Sequence, residues 1–321
     1  MLLVENQKRG NWHGVVPYEL KNILLKFNNL RGVLMKELFF NIEDINVRLH
    51  EWGSKGNPTI VCIHGLGSTS LSFIEIGDML KEKYHIFSID LPGHGKTPQF
   101  LKEEDYEMPN IVKWLDKVIS KITQNKFFIL AHSWGADIAL HYTAKYKAKV
   151  NKVLLLDGGY YLKKDKYDYE VSKGGEINSL QKEIDYYIQD FDEYCFETLQ
   201  GHIEVEKSNY NRWSYLLEEA SRDLIRLEEG KYKWHANSFT STGAIKSMYY
   251  YPPDSIYDKL PNTIYLLQST EPDSMSELRE SLAEKLKFAT GARVKKVAGA
   301  GHLIHWDKPY EVAEEIQDWF S

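Results

Sequence analysis

The stretch Phe127-Phe128-Ile129-Leu130-Ala131-His132-Ser133-Trp134-Gly135-Ala136 decides the fold. Its first residues are apolar and of strand type, and behind the serine Ala136, Ala139, Leu140, Thr143 and Ala144 recur at helical spacing. A strand that breaks sharply into a helix lifts a hydroxyl clear of the backbone, where a base can reach it and amides can meet a developing oxyanion. Small residues two before and two after the serine let neighbouring backbone approach such a turn. Here those positions hold Ala131 and Gly135, and Ser133 is read as a candidate nucleophile.

Outward from this stretch, further short apolar runs appear at Thr59 to Ile63, Ile86 to Ile89, Val153 to Leu156, Ile264 to Leu267 and Val294 to Val297. Amphipathic patterns separate most of them. Met108, Ile111, Val112, Leu115, Val118, Ile119 and Ile122 form one, and Val312, Ile316, Trp319 and Phe320 another. Short apolar strands alternating with amphipathic helices indicate a mostly parallel sheet covered on both faces. Two extended segments, Glu37 to Asn41 and Ile45 to Trp52, precede it as an antiparallel hairpin at the sheet edge, which makes eight strands in all.

Three regions follow. Residues 1–36 are an N-terminal extension with an amphipathic candidate from Tyr18 to Phe27; residues 37–157 and 254–321 form the core; residues 158–253 interrupt the alternation. The interruption is rich in tyrosine and charge. It carries helical patterns at Leu180, Ile184, Tyr187, Ile188 and Phe191, and again from Trp213 through Leu217, Ala220 and Leu224 to Leu227, so it is expected to be a helical insertion after the sixth strand.

Composition bounds the function. With 40 Lys plus Arg against 46 Asp plus Glu, a net charge of -6 and no basic run, the chain is not a general nucleic-acid binder. Cys62 and Cys195 have neither metal-ligand nor disulfide-framework spacing and are expected to be buried thiols. No apolar run approaches the roughly 20 residues of a membrane span, and charge arrives early at the N-terminus, so a cytoplasmic location is expected. Gly65-Leu66-Gly67 lacks the third glycine of a dinucleotide site, and no ligand cluster suggests a metal, so no cofactor is expected.

In an open parallel sheet, ligands bind beyond the carboxyl ends of the strands. There the sequence places His64-Gly65-Leu66-Gly67, Asp90-Leu91-Pro92-Gly93-His94-Gly95, Ser133, Asp157, Glu271 with Asp273, and His302. These motifs, with Gly299-Ala300-Gly301-His302 and Trp306-Asp307-Lys308-Pro309, resemble in kind and order those of the α/β-hydrolase family from about Glu37 to Phe320. The resemblance implies a serine hydrolase acting on an ester, thioester or related acyl bond of a small, fairly apolar molecule under a helical cap. In that family Ser133 would be the nucleophile, His302 the base, and the backbone N–H groups of Leu66 and Trp134 the oxyanion hole.

The triad acid stays open. In most of the family it follows the seventh strand three residues after a glycine, a register that here gives Ser269 and Pro272, so Asp273 or Glu271 would serve by a shift of the loop. A minority places it after the sixth strand, where Asp157 stands. His64 and His132 are read as braces of their loops, His94 and Asp90 as turn formers, and His305 as packing. The fold also hosts carbon–carbon bond hydrolases, lyases, cofactor-free haloperoxidases and ligand receptors that keep the triad. Oligomeric state is not legible.

Overall fold

The computed structural model describes residues 24–30 and 33–321. In chain order the first strands are β1 (Leu24–Leu30), β2 (Val33–Ile42), β3 (Ile45–Trp52), β4 (Thr59–Ile63), β5 (His85–Ile89), β6 (Phe127–His132) and β7 (Val150–Leu156). Interleaved helices are α1 (Ile74–Leu80), α2 (Met108–Ile122) and α3 (Trp134–Tyr146). Then come α4 (Lys163–Ser172), α5 (Leu180–Glu193), β8 (Cys195–Phe196), α6 (Leu199–Asn209), α7 (Tyr215–Arg222), β9 (Ile225–Glu228), β10 (Lys231–Trp234) and α8 (Ser238–Tyr250). The chain closes with β11 (Ile264–Ser269), α9 (Ser276–Thr290), β12 (Arg293–Val297), α10 (Ile304–Asp307) and α11 (Pro309–Phe320).

The main sheet has the order β1-β2-β3-β5-β4-β6-β7-β11-β12. It is parallel from β5 to β12 and antiparallel from β1 to β5. All eight expected strands are present, and β1 adds a ninth at the edge. The amphipathic pattern from Tyr18 to Phe27 therefore does not become a helix over Leu24 to Phe27, because those residues pair with β2; its first part lies outside the described residues. Inside the sheet, β6 is buried at every position and β4 at all but Thr59, which is why they read as unbroken apolar runs. Two apolar clusters, one on each face, hold the sheet between α2, α3 and α9 on one side and α1 and α11 on the other.

The stretch between β7 and β11 holds α4 to α8 together with a small sheet of order β8-β10-β9 that the helical reading missed. The pattern from Trp213 to Leu227 runs past its helix, since α7 ends at Arg222 and β9 begins at Ile225. The cause is local: Glu229 and Gly230 both take positive φ, 51° and 81°, and so make the two-residue turn that closes a hairpin. The insertion is tied to the core by ion pairs, Arg48 to Asp223 and Arg212 to Glu75. Cys62 is buried, whereas Cys195 is only half-buried; both are free thiols. Among the described residues no helix is long and apolar enough to cross a membrane.

Candidate functional site

The turn from β6 to α3 holds Ser133 at φ 53°, ψ −125°, a backbone conformation that costs a non-glycine residue free energy and persists only where its surroundings fix it. They do so here. The Ser133 N–H donates to Leu156 O at 3.1 Å, tying the turn to the next strand. A methyl group at Gly135 would lie 2.4 Å from the carbonyl oxygens of Ile63 and His64, and one at Gly65 2.8 Å from Ser133 Cβ, so the loop after β4 can pass this close only with glycine at both places. Trp134 is the first residue of α3. Its N–H thus has no acceptor within the helix.

The loop after β12 brings His302 onto the serine, with Nε2 2.9 Å from Ser133 Oγ. Its other nitrogen, Nδ1, donates to Asp157 Oδ2 at 2.8 Å. A carboxylate only accepts, so this bond fixes the tautomer and leaves Nε2 free to receive the serine proton. Asp157, at the end of β7 with φ 43°, is buried and takes three further bonds: Tyr160 OH at 2.8 Å, Ser269 N–H at 3.1 Å and Ser269 Oγ–H at 2.8 Å. Burial pushes the carboxyl up, but the His302 bond and charge together with the two hydroxyls outweigh it and hold Asp157 below the usual carboxylate range.

The other two candidate acids stand elsewhere. Asp273 is exposed and accepts from Ser276 Oγ at 3.1 Å in a short turn before α9. Glu271 is exposed at the rim. The expectation that the loop after the seventh expected strand might supply the acid is therefore corrected for geometry: the position where a glycine is usual holds Ser269, whose amide and hydroxyl support Asp157 instead.

Four histidines around this chain are spent on loops. His64 donates from Nδ1 to Gly65 O at 2.7 Å and accepts the Leu91 N–H at Nε2, while His94 donates to Pro92 O and accepts the Gly67 N–H at 3.0 Å. Together they pin the Gly65–Gly67 loop that carries Leu66. His132 donates from Nε2 to His302 O at 3.0 Å, and His305 bonds Ser72 Oγ at 2.8 Å. Burial pushes His64 down to about 4, and His94 and His305 to about 3, so these rings are neutral near pH 7.

Ser133, His302 and Asp157 open on a cavity of about 280 Å³, walled by Leu66, Trp134 and Met275 from the core and by Leu162, Tyr187 and Met248 from the insertion. Lys163, Lys166 and Arg279 also line it, so the walls carry cationic as well as apolar groups. A larger groove of about 520 Å³, near Glu43 and Trp114, contains none of the strand-end residues. Among the described residues no group of three or more His, Cys, Asp or Glu is arranged to hold a metal ion. Sequence reasoning missed Tyr160, Ser269 and Arg279; only Ser269 left a trace, as the residue standing where a glycine is usual.

A family model described as alpha/beta hydrolase fold matches residues 58–309. An uncharacterized hydrolase of Bacillus subtilis, YugF, is 28% identical over 125 residues, 39% of this chain and 45% of that protein. The human serine hydrolase-like protein is 26% identical over 129 residues, 40% of this chain and 64% of the relative. The chain thus matches about half the length of these curated relatives. Among solved structures, E-2-(acetamidomethylene)succinate hydrolase superposes with a TM-score of 0.70 at 18% identity, covering 88% of this chain and 98% of that one. The thioesterase domain from the curacin biosynthetic pathway gives 0.68 at 17% identity over 88% and 99%. At such identities the likeness is one of fold.

Proposed function

The chain belongs to the α/β-hydrolase fold family, and on that premise we propose that it is a serine hydrolase cleaving an ester or thioester bond of a small molecule. One observation carries the reading: the unbroken line Ser133 Oγ to His302 Nε2 to His302 Nδ1 to Asp157 Oδ2, with steps of 2.9 and 2.8 Å, at the head of a cavity. On this reading Ser133 Oγ attacks the acyl carbonyl as His302 Nε2 takes its proton. The carbonyl oxygen becomes an oxyanion received by the N–H groups of Leu66 and Trp134. His302 then returns the proton to the departing alcohol or thiol, leaving an acyl-enzyme that water cleaves by the same steps. Asp157 holds the ring and stabilises the imidazolium without itself taking the proton.

We take residues 37–157 and 254–321 as the core and 158–253 as a cap that closes the cavity from the insertion side, which favours small substrates over polymers. The names of the human and Bacillus relatives agree with hydrolysis. The test is hydrolysis of p-nitrophenyl acetate, butyrate and decanoate by wild type and Ser133→Ala. The expected outcome is a fall in kcat of about 10³-fold or more for the short esters, with decanoate the poorest substrate. Equal turnover by the variant would discard the reading.

A further inference from the structure

The candidate catalytic cavity is bordered by a cation that no acid balances. Arg279, on α9, is 2% exposed and lines the cavity. Its Nη1 and Nη2 donate to the carbonyl oxygens of Thr270 and Pro272 at 3.0 and 2.6 Å, but Nε is buried with no hydrogen-bond partner among the described residues. The acids of the same helix pair elsewhere, Glu277 with Lys173, Glu280 with Lys296 and Glu284 with Lys287. A guanidinium withdrawn from water without a counter-charge is costly, and an anionic group arriving in the cavity offsets that cost.

The adjoining wall repeats the imbalance. Lys163 and Lys166, on α4, share one carboxylate, lying 2.8 and 3.4 Å from Glu183 Oε1, while Tyr167 OH donates to Oε2 at 2.5 Å. Glu183 is fully buried and already satisfied, so Lys166, the looser of the two, is free to answer a ligand. Asp137, the other acid near Lys163, is raised to about 7 by burial and is only partly charged at neutral pH. Glu271 stands exposed at the rim. Asp157 is committed to its four donors. The two cationic walls are neighbours, since Tyr169 OH of α4 donates to Ser274 O just before α9, and Lys173 pairs with Glu277.

We propose that Arg279 and Lys166 form a carboxylate subsite beside Ser133, so that the substrate is a short acyl ester or thioester whose acyl chain ends in a carboxylate. The apolar walls at Leu66, Leu162, Met248 and Met275 take the methylenes between the two ends. The bond that is cleaved rests on the serine-hydrolase reading; the subsite itself does not.

The test separates the two. Monomethyl glutarate and its neutral counterpart methyl pentanoate are titrated calorimetrically into Ser133→Ala, alone and combined with Arg279→Met, Arg279→Lys or Lys166→Met. Charge-assisted bonds predict that the glutarate ester binds about tenfold more tightly or better. That preference falls to near unity with Arg279→Met, is partly kept with Arg279→Lys, and shrinks severalfold with Lys166→Met. Should Arg279→Met not fold, the other two variants decide. Equal or weaker binding of the glutarate ester, binding of neither ester, or a preference unchanged in the variants that fold overturns the subsite. A preference found in Ser133→Ala alongside no hydrolysis of either ester by wild type keeps the subsite and removes the hydrolase reading.

Discussion

Two buried carboxylates follow strands of the same sheet, with two strands between them, and they have opposite fates. Asp90, after β5, accepts from Arg48 Nε and Nη2 at 2.6 and 3.0 Å and from the N–H groups of Ser70 and Lys96 at 2.8 and 2.9 Å. Asp157, after β7, also has four donors, but its ionisable nitrogen partner is His302. Arg48 is buried with Asp90 and bridges to Asp223 at 2.7 and 2.5 Å. Although burial opposes its charge, the two aspartates drive its pKa still higher than that of a free guanidinium. Such a pair is permanent, and it holds the insertion to the core. The His302 side chain is 54% exposed and has a nitrogen free to gain and lose a proton. The number of hydrogen bonds is alike at the two sites, so what separates scaffold from chemistry is whether the cation can be discharged.

Crossed substitutions sharpen this contrast, and the largest effect is expected on activity. Asp157→Asn should lower ester kcat by about 10³–10⁴-fold, because the ring loses its fixed tautomer, while circular dichroism still reports a folded chain. Arg48→Met should do the reverse. It leaves Asp90 and Asp223 buried or half-buried without their cation, at a cost of about 3–5 kcal/mol in urea unfolding, with a far smaller change in kcat of the protein that remains folded. If Arg48→Met proves as damaging to kcat as Asp157→Asn in folded protein, the division between the two sites is wrong.

Stability should also depend on pH. His50 and His64, near the Asp90 site, and His94 and His305 are pushed by burial to about 3, 4, 3 and 3. A histidine whose folded pKa lies below its unfolded value of about 6.5 contributes stability that is whole above that value and drains away as pH falls toward the folded one. At pH 5 the loss is about 2 kcal/mol for each such ring. The two aspartates are depressed as well, so their contribution survives above the ordinary carboxylate range and is lost only below about pH 4. Urea midpoints should therefore fall already between pH 7 and 5; midpoints that stay level until pH 4 would mean the rings are not held neutral.

How much of this the sequence revealed follows the same division. Strand ends were legible because the central strands β6 and β7 are largely buried and read as apolar runs closed by Ser133 and Asp157, while His302 was marked by the glycines before it rather than by its strand. Arg48 was not legible. It sits in a strand whose sequence alternates apolar and polar residues, where it reads like any surface arginine, and its partners lie 42 and 175 residues away. The insertion was legible as helical but not as carrying a sheet, since strands of two to four residues leave no period and only the Glu229-Gly230 turn marks the hairpin. The choice among Asp157, Asp273 and Glu271 needed the third dimension. Even so, Ser269 in place of a glycine was a sign that the end of β11 had taken another role.

The central claim is that Ser133 is activated through His302 by Asp157, and the most direct measurement is the rate of covalent labelling of Ser133. Wild type, Asp157→Asn, Asp273→Asn and Ser133→Ala are treated with a fluorophosphonate, and the modified peptide is followed by mass spectrometry. The account predicts rapid phosphonylation of Ser133 in wild type and Asp273→Asn, labelling slower by about 10²-fold or more in Asp157→Asn, and none at this peptide in Ser133→Ala. Labelling as fast in Asp157→Asn as in wild type, or a label carried by another residue, would contradict it.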